Sequence, residues 1–335
     1  MIVQSLVKAQ SGRHLTEAEA FATFREIMNG EVVSEAVLAS LLTAMQMNRP
    51  NVAEVTGAVR AMRDVCLRVN VPDDAVDIVG TGGDGFCTFN VSTTAAIIAA
   101  GAGVTIAKHG NRAATSKSGS ADCLAALGYN LMKPLPEVER SIRENGIGFL
   151  FANRCHPAMM YAAPVRKALP FRTIFNLLGP LSNPAGVKRY ALGVYAPDVI
   201  SLYVETLKAL GVKKAVVFCG PNGLDELGLA GTSQVAELGK DGGVKEYVFD
   251  PKKVFGAFSP VEAIRGGDPA ENARIALDII SGKDRGVRRD AAALNAAAAI
   301  LAGGKADSIE EGLGCAYASM DSGRAYAKLQ ALIFG

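Results

Sequence analysis

The stretch VDIVGTGGDGFCTFNVSTTAAIIAAGAGVTIAKHG, residues 76–110, decides the architecture. VDIVG at 76–80 is a short, largely apolar run ending in glycine, which predicts a buried strand that delivers a tight turn. The turn GTGGDG at 80–85 leads into an Ala- and Ile-rich run read as a helix near 92–101, and GVTIAKHG then reads as a second strand. A further helix near 119–128 and strands in RYALGVYA and KKAVVFCG continue the alternation. Strands that alternate with helices in this way form α/β layers, and the expectation is a mostly parallel central sheet flanked by helices.

Upstream of this unit the pattern is helical. Thr16 and Glu19 form a capping box, and Phe21, Phe24 and Met28 recur at helical spacing until Gly30 supplies a stop. A second run places Leu38, Leu41, Leu42 and Met45 on one side, and a third begins at Asn51 with Val55, Val59 and Met62. The expected organisation is a small N-terminal helical domain over 1–70 and a larger α/β domain over 71–335. The segment HPAMMYAAPVRKALPFRTIFNLLGPL, 156–181, reads as helical and as returning to the first domain, and the Ala-rich tail from 269 to 335 reads as helical.

A chain of 335 residues is long enough to bury a substantial core. Lys and Arg number 35 against 33 Asp and Glu, so no global field recruits nucleic acid or an acidic membrane, and any anion recognition is local. The cysteines (Cys66, Cys87, Cys123, Cys155, Cys219, Cys315) lack metal-ligand spacing and read as buried small hydrophobes in a reducing cytosol. No signal peptide pattern opens the chain, and its greasiest stretch is broken by Gly and hydroxyl residues, so a cytoplasmic, membrane-free protein is expected.

GTGGDG satisfies G-x-G-x-x-G after a strand, the pattern of a dinucleotide-binding turn. Such a unit ends its second strand with an acid for the ribose hydroxyls, but Lys108 stands there. No Asp or Glu falls between Gly85 and Ala121, whereas Lys108, Arg112 and Lys117 do, with His109 beside them. That composition suits a polyanion. Gly80, Gly82 and Gly83 let backbone amides approach a phosphate and permit positive φ. Asn90 and Ser92 sit at a helix entry, where amides and dipole favour a second anion, and Ser118 or Ser120 is expected to cap the next helix. NGLDEL at 222–227 sets Asp225 beside Glu226. Such a pair usually marks a solvated surface, but next to a phosphate site its hard oxygens suit Mg²⁺ shared with substrate phosphates. Arg166, on a predicted helix, suits a carboxylate gripped through two hydrogen bonds, although a surface arginine is the blander account. A lone histidine, such as His109 or His156, is more often structural than catalytic.

Taken together, GTGGDG, TFNVST (88–93), AKHGNR (107–112) and SKSGSADCLAALG (116–128) resemble the anthranilate phosphoribosyltransferase family of tryptophan biosynthesis. The likeness runs nearly end to end, through RTIFNLLGPLSNPA (172–185), GLDEL and DAAALNAAAA (290–299). It implies a homodimer of two-domain chains with the active site at the hinge between domains, phosphoribosyl pyrophosphate as donor, anthranilate as acceptor and Mg²⁺ as cofactor. By motif position, Gly80, Gly82, Gly83, Asp84, Thr88, Asn90, Ser92, Thr93, Lys108 and Ser120 would hold the donor. Ser92, Asp225 and Glu226 would place the metal. Gly80, His109, Asn111 and Arg166 would recognise anthranilate, with His156 and Pro180 lining its access route. Pro170, Asn153, Thr115 and the NRP turn at 48–50 depart from the family's usual residues, and none of them removes a charged site residue.

Pyrophosphate leaves as an anion, so no general acid or base is assigned. Three other readings compete. A pyrimidine nucleoside phosphorylase shares a related fold, and a related transferase would take another aromatic amine. A non-catalytic phosphate- or nucleic-acid-binding module would spread its basic residues over a surface with aromatic platforms, whereas here they crowd one loop and Trp is absent.

Overall fold

The computed structural model describes residues 1–31, 34–113 and 117–335, so Thr115 and Ser116 lie outside the described residues. The helices run α1 (Ile2–Gln10), α2 (Glu17–Met28), α3 (Glu35–Asn48), α4 (Val52–Asp64), α5 (Val91–Gly101), α6 (Ser120–Ala126), α7 (Leu135–Asn145), α8 (Ala152–Cys155), α9 (Ala163–Ala168), α10 (Phe175–Leu178), α11 (Ile200–Ala209), α12 (Lys252–Phe255), α13 (Pro269–Ile280), α14 (Val287–Gly303), α15 (Ile309–Asp321) and α16 (Arg324–Phe334). The strands are β1 (Val76–Gly80), β2 (Ile106–Gly110), β3 (Ile147–Phe151), β4 (Arg189–Gly193), β5 (Lys214–Cys219), β6 (Ser233–Leu238) and β7 (Val244–Phe249). They group into two compact units, Met1–Arg68 with Ala152–Gly186 and Glu205–Gly211, and Val69–Phe151 with Val187–Val204 and Val212–Gly335.

In the helical unit the expected caps are present. The Thr16 hydroxyl accepts from the Glu19 amide while Glu19 accepts from the Thr16 amide, and Asn51 and Glu54 repeat the arrangement at α4. A capping side chain of this kind is worth about 1 kcal/mol. The predicted apolar positions Phe24, Leu38, Leu41, Leu42, Met45, Val55 and Val59 are buried, but Phe21 is half-buried. α1 adds a helix that the sequence pattern does not announce; it buries Ile2, Ser5 and Ala9, and the Ser5 and Thr23 hydroxyls share a hydrogen bond of 2.6 Å. The segment 156–181 is less regular than expected, because Pro157, Pro164, Pro170 and Pro180 break it into α9, α10 and two 3₁₀ turns. The Phe24 and Phe175 rings meet edge to face at 5.5 Å.

The second unit is a seven-stranded sheet in the order β3-β2-β1-β4-β5-β6-β7. β1 to β5 are mutually parallel, and β6 and β7 extend the sheet antiparallel. β3, β6 and β7 are not among the strands read from the sequence, although glycines flank each run: Gly146 precedes β3, Gly231 and Gly239 bracket β6, and Gly243 precedes β7. α14 packs against α5, α15 and β4, and its residues 291–302 are all buried. Four cysteines are buried, but Cys87 is exposed and Cys315 half-buried, a correction to the uniform expectation. Cys87 sits in the loop after GTGGDG, outside every packed helix and strand, with φ +53°.

Glu54 is 1% exposed, and besides the capping bond that it accepts from the Asn51 amide at 3.0 Å it accepts from the Leu15 amide at 2.9 Å. Glu54→Ala strands these buried donors, so the free energy of unfolding, measured from urea titrations, should fall by about 3 kcal/mol. An unchanged midpoint would show that the carboxylate does not tie the α1–α2 connection to α4.

Candidate active site

The chain leaves β1 toward β2 and β3 on one side, then crosses back to place β4 on the other. In a parallel sheet, such a reversal leaves a crevice outside the carboxyl ends of the two central strands. Those ends are Gly80 of β1 and Gly193 of β4, which stand in register. Neither could carry a side chain. A Cβ on Gly193 would run into the backbone carbonyl of Asp225, and one on Gly80 into the Asp225 carboxylate. The turn after β5 is thereby seated in the mouth of the β1 turn.

The glycine-rich turn is shaped by left-handed φ values of +69° at Gly82, +71° at Gly83 and +83° at Gly85, as expected, whereas Gly80 is required for close approach. The Gly82 amide donates to Asp225 Oδ2 at 2.6 Å, and the Asp225 amide lies 3.5 Å from Asp84 Oδ2. At the first turn of α5 the Ser92 amide donates to Glu226 Oε1 at 3.2 Å. Amides that the sequence suggested for external anions thus meet the two carboxylates, 143 and 134 residues away along the chain.

Burial, then the neighbouring Asp84, pushes the Asp225 carboxyl up to about 7. Burial and Asp225 raise Glu226 well above the usual carboxylate range, while Lys108 opposes the shift. Lys108 projects from β2 with its ammonium donating to the Ile78 carbonyl at 2.6 Å and lying 3.4 Å from Ser92 Oγ. Burial lowers its pKa, against the pull of Asp77, Glu226 and Asp225. Gly80, Gly82, Asp84, Ser92, Lys108, Asp225 and Glu226 therefore form one cluster.

The remaining loop residues are held by a second network. Asn90 Oδ1 accepts from the Ser118 hydroxyl at 3.0 Å and from Asn272 Nδ2 at 2.9 Å, and its own side-chain amide donates to the Ser118 carbonyl. Thr88 bridges to Arg265, and the Thr93 hydroxyl is buried without a hydrogen-bond partner among the described residues. The Ser120 hydroxyl donates to the Asn111 carbonyl at 3.2 Å. Neither Ser118 nor Ser120 caps α6: its N-cap is Gly119, whose amide donates to Asp122 at 3.0 Å. His109 is buried on β2, its amide donating to Asp77 Oδ1 at 3.0 Å. Sequence reasoning misses Asp77 and Asn272; a lone acid inside an apolar strand run is the available signal for Asp77.

Arg166, His156 and Pro180 belong to the helical unit. Arg166 is exposed on α9 with its guanidinium 5.1 Å from the centre of the Phe175 ring, and no carboxylate among the described residues pairs with it. Pro180 is buried in the 3₁₀ turn Gly179–Leu181, whose last carbonyl accepts from Arg63 at 2.6 Å. His156 is buried, which pushes its pKa down to about 4 against a backbone hydrogen bond at Ser182.

The profile of the glycosyl transferase family a/b domain matches residues 72–326, and that of the same family's helical bundle domain matches residues 3–66. The chain is 48% identical over 333 residues to the anthranilate phosphoribosyltransferase of Rubrobacter xylanophilus, covering 99% of this chain and 97% of that one. This chain belongs to the anthranilate phosphoribosyltransferase family. Its fold superposes on the family's enzyme from Thermus thermophilus with a TM-score of 0.93 at 44% identity, covering 98% of each chain. Against the family's Saccharomyces cerevisiae enzyme in complex with PRPP and Mg the TM-score is 0.90 at 30% identity, covering 99% of this chain and 96% of that one.

The cluster fits the metal of that yeast complex. Two buried carboxylates with raised pKa values face a single nearby ammonium, so a hard cation would relieve their repulsion. No group of three His, Cys, Asp or Glu among the described residues could enclose a metal, and Mg²⁺ commonly takes one or two carboxylates and completes its shell with phosphate oxygens and water.

Because His156 is held neutral, its contribution to stability is complete above its ordinary value of 6.5 and is lost as the pH falls toward about 4. Relative to His156→Asn, unfolding titrations should show the wild type losing about 3 kcal/mol across that window. A stability difference independent of pH would show that the imidazole is not kept neutral.

Proposed function

We propose that the chain transfers the 5-phosphoribosyl group of PRPP to the amine of anthranilate, releasing pyrophosphate and N-(5-phosphoribosyl)anthranilate, the second step from chorismate to tryptophan. The observation that carries this reading is the seating of Asp225 and Glu226 in the glycine-rich turn at the switch point, where amides, ammonium and carboxylates converge. Mg²⁺ is the cofactor, and when bound it neutralises charge growing on the pyrophosphate oxygens. Asp225, Glu226 and the Ser92 hydroxyl hold it.

The chain's own groups grip the donor from two sides. Gly80, Gly82, Gly83 and Asp84 form the turn, and Thr88, Asn90, Ser92 and Thr93 present the positive end of α5 to phosphate. Lys108 supplies charge at the base of the cradle, and Ser120 closes it. Arg166 takes the anthranilate carboxylate, Asn111, His109 and Gly80 contact its ring and amine, and His156 and Pro180 line the approach. No side chain need move a proton for bond breaking, since pyrophosphate departs as an anion. Preorganised amides and cations supply electrostatic stabilisation, and orientation of the amine adds roughly 7–11 kcal/mol of effective molarity.

The working form is a cytoplasmic homodimer. Its support is the apolar surface on packed helices α1 and α3, where Val3, Val7 and Met47 are exposed. No helix among the described residues is long and apolar enough to cross a membrane.

Mixed with anthranilate, PRPP and Mg²⁺, the purified protein should extinguish anthranilate fluorescence; phosphorolysis of a pyrimidine nucleoside in its place would overturn the reading. Arg166→Ala should raise the KM for anthranilate by roughly tenfold or more and leave that for PRPP nearly unchanged, as loss of a hydrogen bond to a charged group predicts. Equal losses for both substrates would remove Arg166 from the acceptor site. Asp225→Asn combined with Glu226→Gln should lower turnover and raise the Mg²⁺ requirement, and an unmoved metal titration would rule out both as ligands.

A further inference from the structure

We propose that Asn295 is a positioning residue whose carboxamide fixes the turn carrying Asp225 and Glu226 and thereby sets the affinity for the Mg²⁺–PRPP pair. The inference rests on the assignment of those two carboxylates to the metal. Asn295 lies in the middle of α14, in the run Ala291-Ala292-Ala293-Leu294-Asn295-Ala296-Ala297-Ala298-Ala299, and is completely buried. Asn is a poorer helix former than Ala, and a buried carboxamide is tolerated only if its donors and acceptor are used. They are used on one residue above all. Asn295 Oδ1 accepts from the Leu227 amide at 2.9 Å, and Asn295 Nδ2 donates to the Leu227 carbonyl at 3.1 Å and to the Ala291 carbonyl at 2.9 Å.

The side chain pairs with both backbone groups of Leu227 as a neighbouring strand would, and Leu227 directly follows Glu226. The rest of the turn is tied down elsewhere. Gly220 donates to the Leu224 carbonyl at 2.8 Å and Gly228 to the Ser233 hydroxyl at 3.2 Å, which leaves Asn295 to hold the peptide next to the carboxylates. Asp225 in turn packs against Gly80 and Gly193, where added Cβ atoms would meet its carboxylate and its backbone carbonyl. A displacement at Leu227 is therefore passed directly to both carboxylates.

The test is Asn295→Leu, of similar volume but without hydrogen bonds, with PRPP binding followed by calorimetry at graded Mg²⁺. The Mg²⁺ concentration for half-maximal PRPP binding should rise roughly tenfold or more, as for other groups that orient metal ligands, with the anthranilate KM unchanged. In an Asp225→Asn/Glu226→Gln background the same substitution should add no further shift, and an additive shift would reveal a purely structural role and overturn the proposal. If Asp225→Asn/Glu226→Gln itself leaves the titration unmoved, the metal assignment falls; if it moves the titration and Asn295→Leu does not, the positioning role alone falls. Should Asn295→Leu fail to fold, hydrogen exchange in the unaltered protein decides: the peptide containing Leu227 should be protected as long as α14, and early exchange would sink the idea.

Discussion

Between Gly80 and Gly193, in register on two parallel strands, the missing Cβ atoms make room for Asp225, and the whole site depends on that fit. The contact joins the turn after β1 to the turn after β5. Through it, the amides of the glycine-rich turn and of the first turn of α5 receive two carboxylates from far along the chain. The cluster is an arrangement of the fold, assembled by strand order, and no single motif contains it.

Burying two carboxylates side by side is costly, several kcal/mol per ion even after relaxation. The structure offsets this with amide donors aimed at each carboxylate and with the Lys108 ammonium beneath them. What remains is visible in the raised pKa values of Asp225 and Glu226. Residual tension of this sort is expected where a cation and a charged substrate complete the balance. The helical unit treats its ionisable groups differently: Glu54 caps α4, anchors the Leu15 amide and meets the His14 ring, and His156 is kept neutral by burial.

Much of this is legible in the sequence because the responsible signals are local. A glycine turn after an apolar run locates β1, capping pairs locate α2 and α4, and cations without acids mark the stretch proposed to bind the donor. The segment 156–181 misleads because its helical periodicity ignores four prolines. The expected serine cap on α6 fails because Asp122 reaches back to the Gly119 amide and needs no hydroxyl ahead of it. Other features are non-local in origin. That Gly80 serves a carboxylate and not a positive φ depends on Asp225, and the roles of Asp77, Asn272 and Asn295 depend on which strands and helices become neighbours. The carboxylates' grip on Gly82 and Ser92 belongs to the same class.

The alanine wall of α14 has a consequence for how this molecule can change over time. From 291 to 302 eight of the twelve side chains are one methyl group, packed against α5, α15 and the sheet. Drift at these positions has one direction, toward bulk, and bulk in a close-packed interior forces neighbours apart at a cost of roughly 1–3 kcal/mol per insertion. Descendants of this chain that acquire new acceptors must therefore do so at the rim, in loops and short helical turns, while the spine stays frozen.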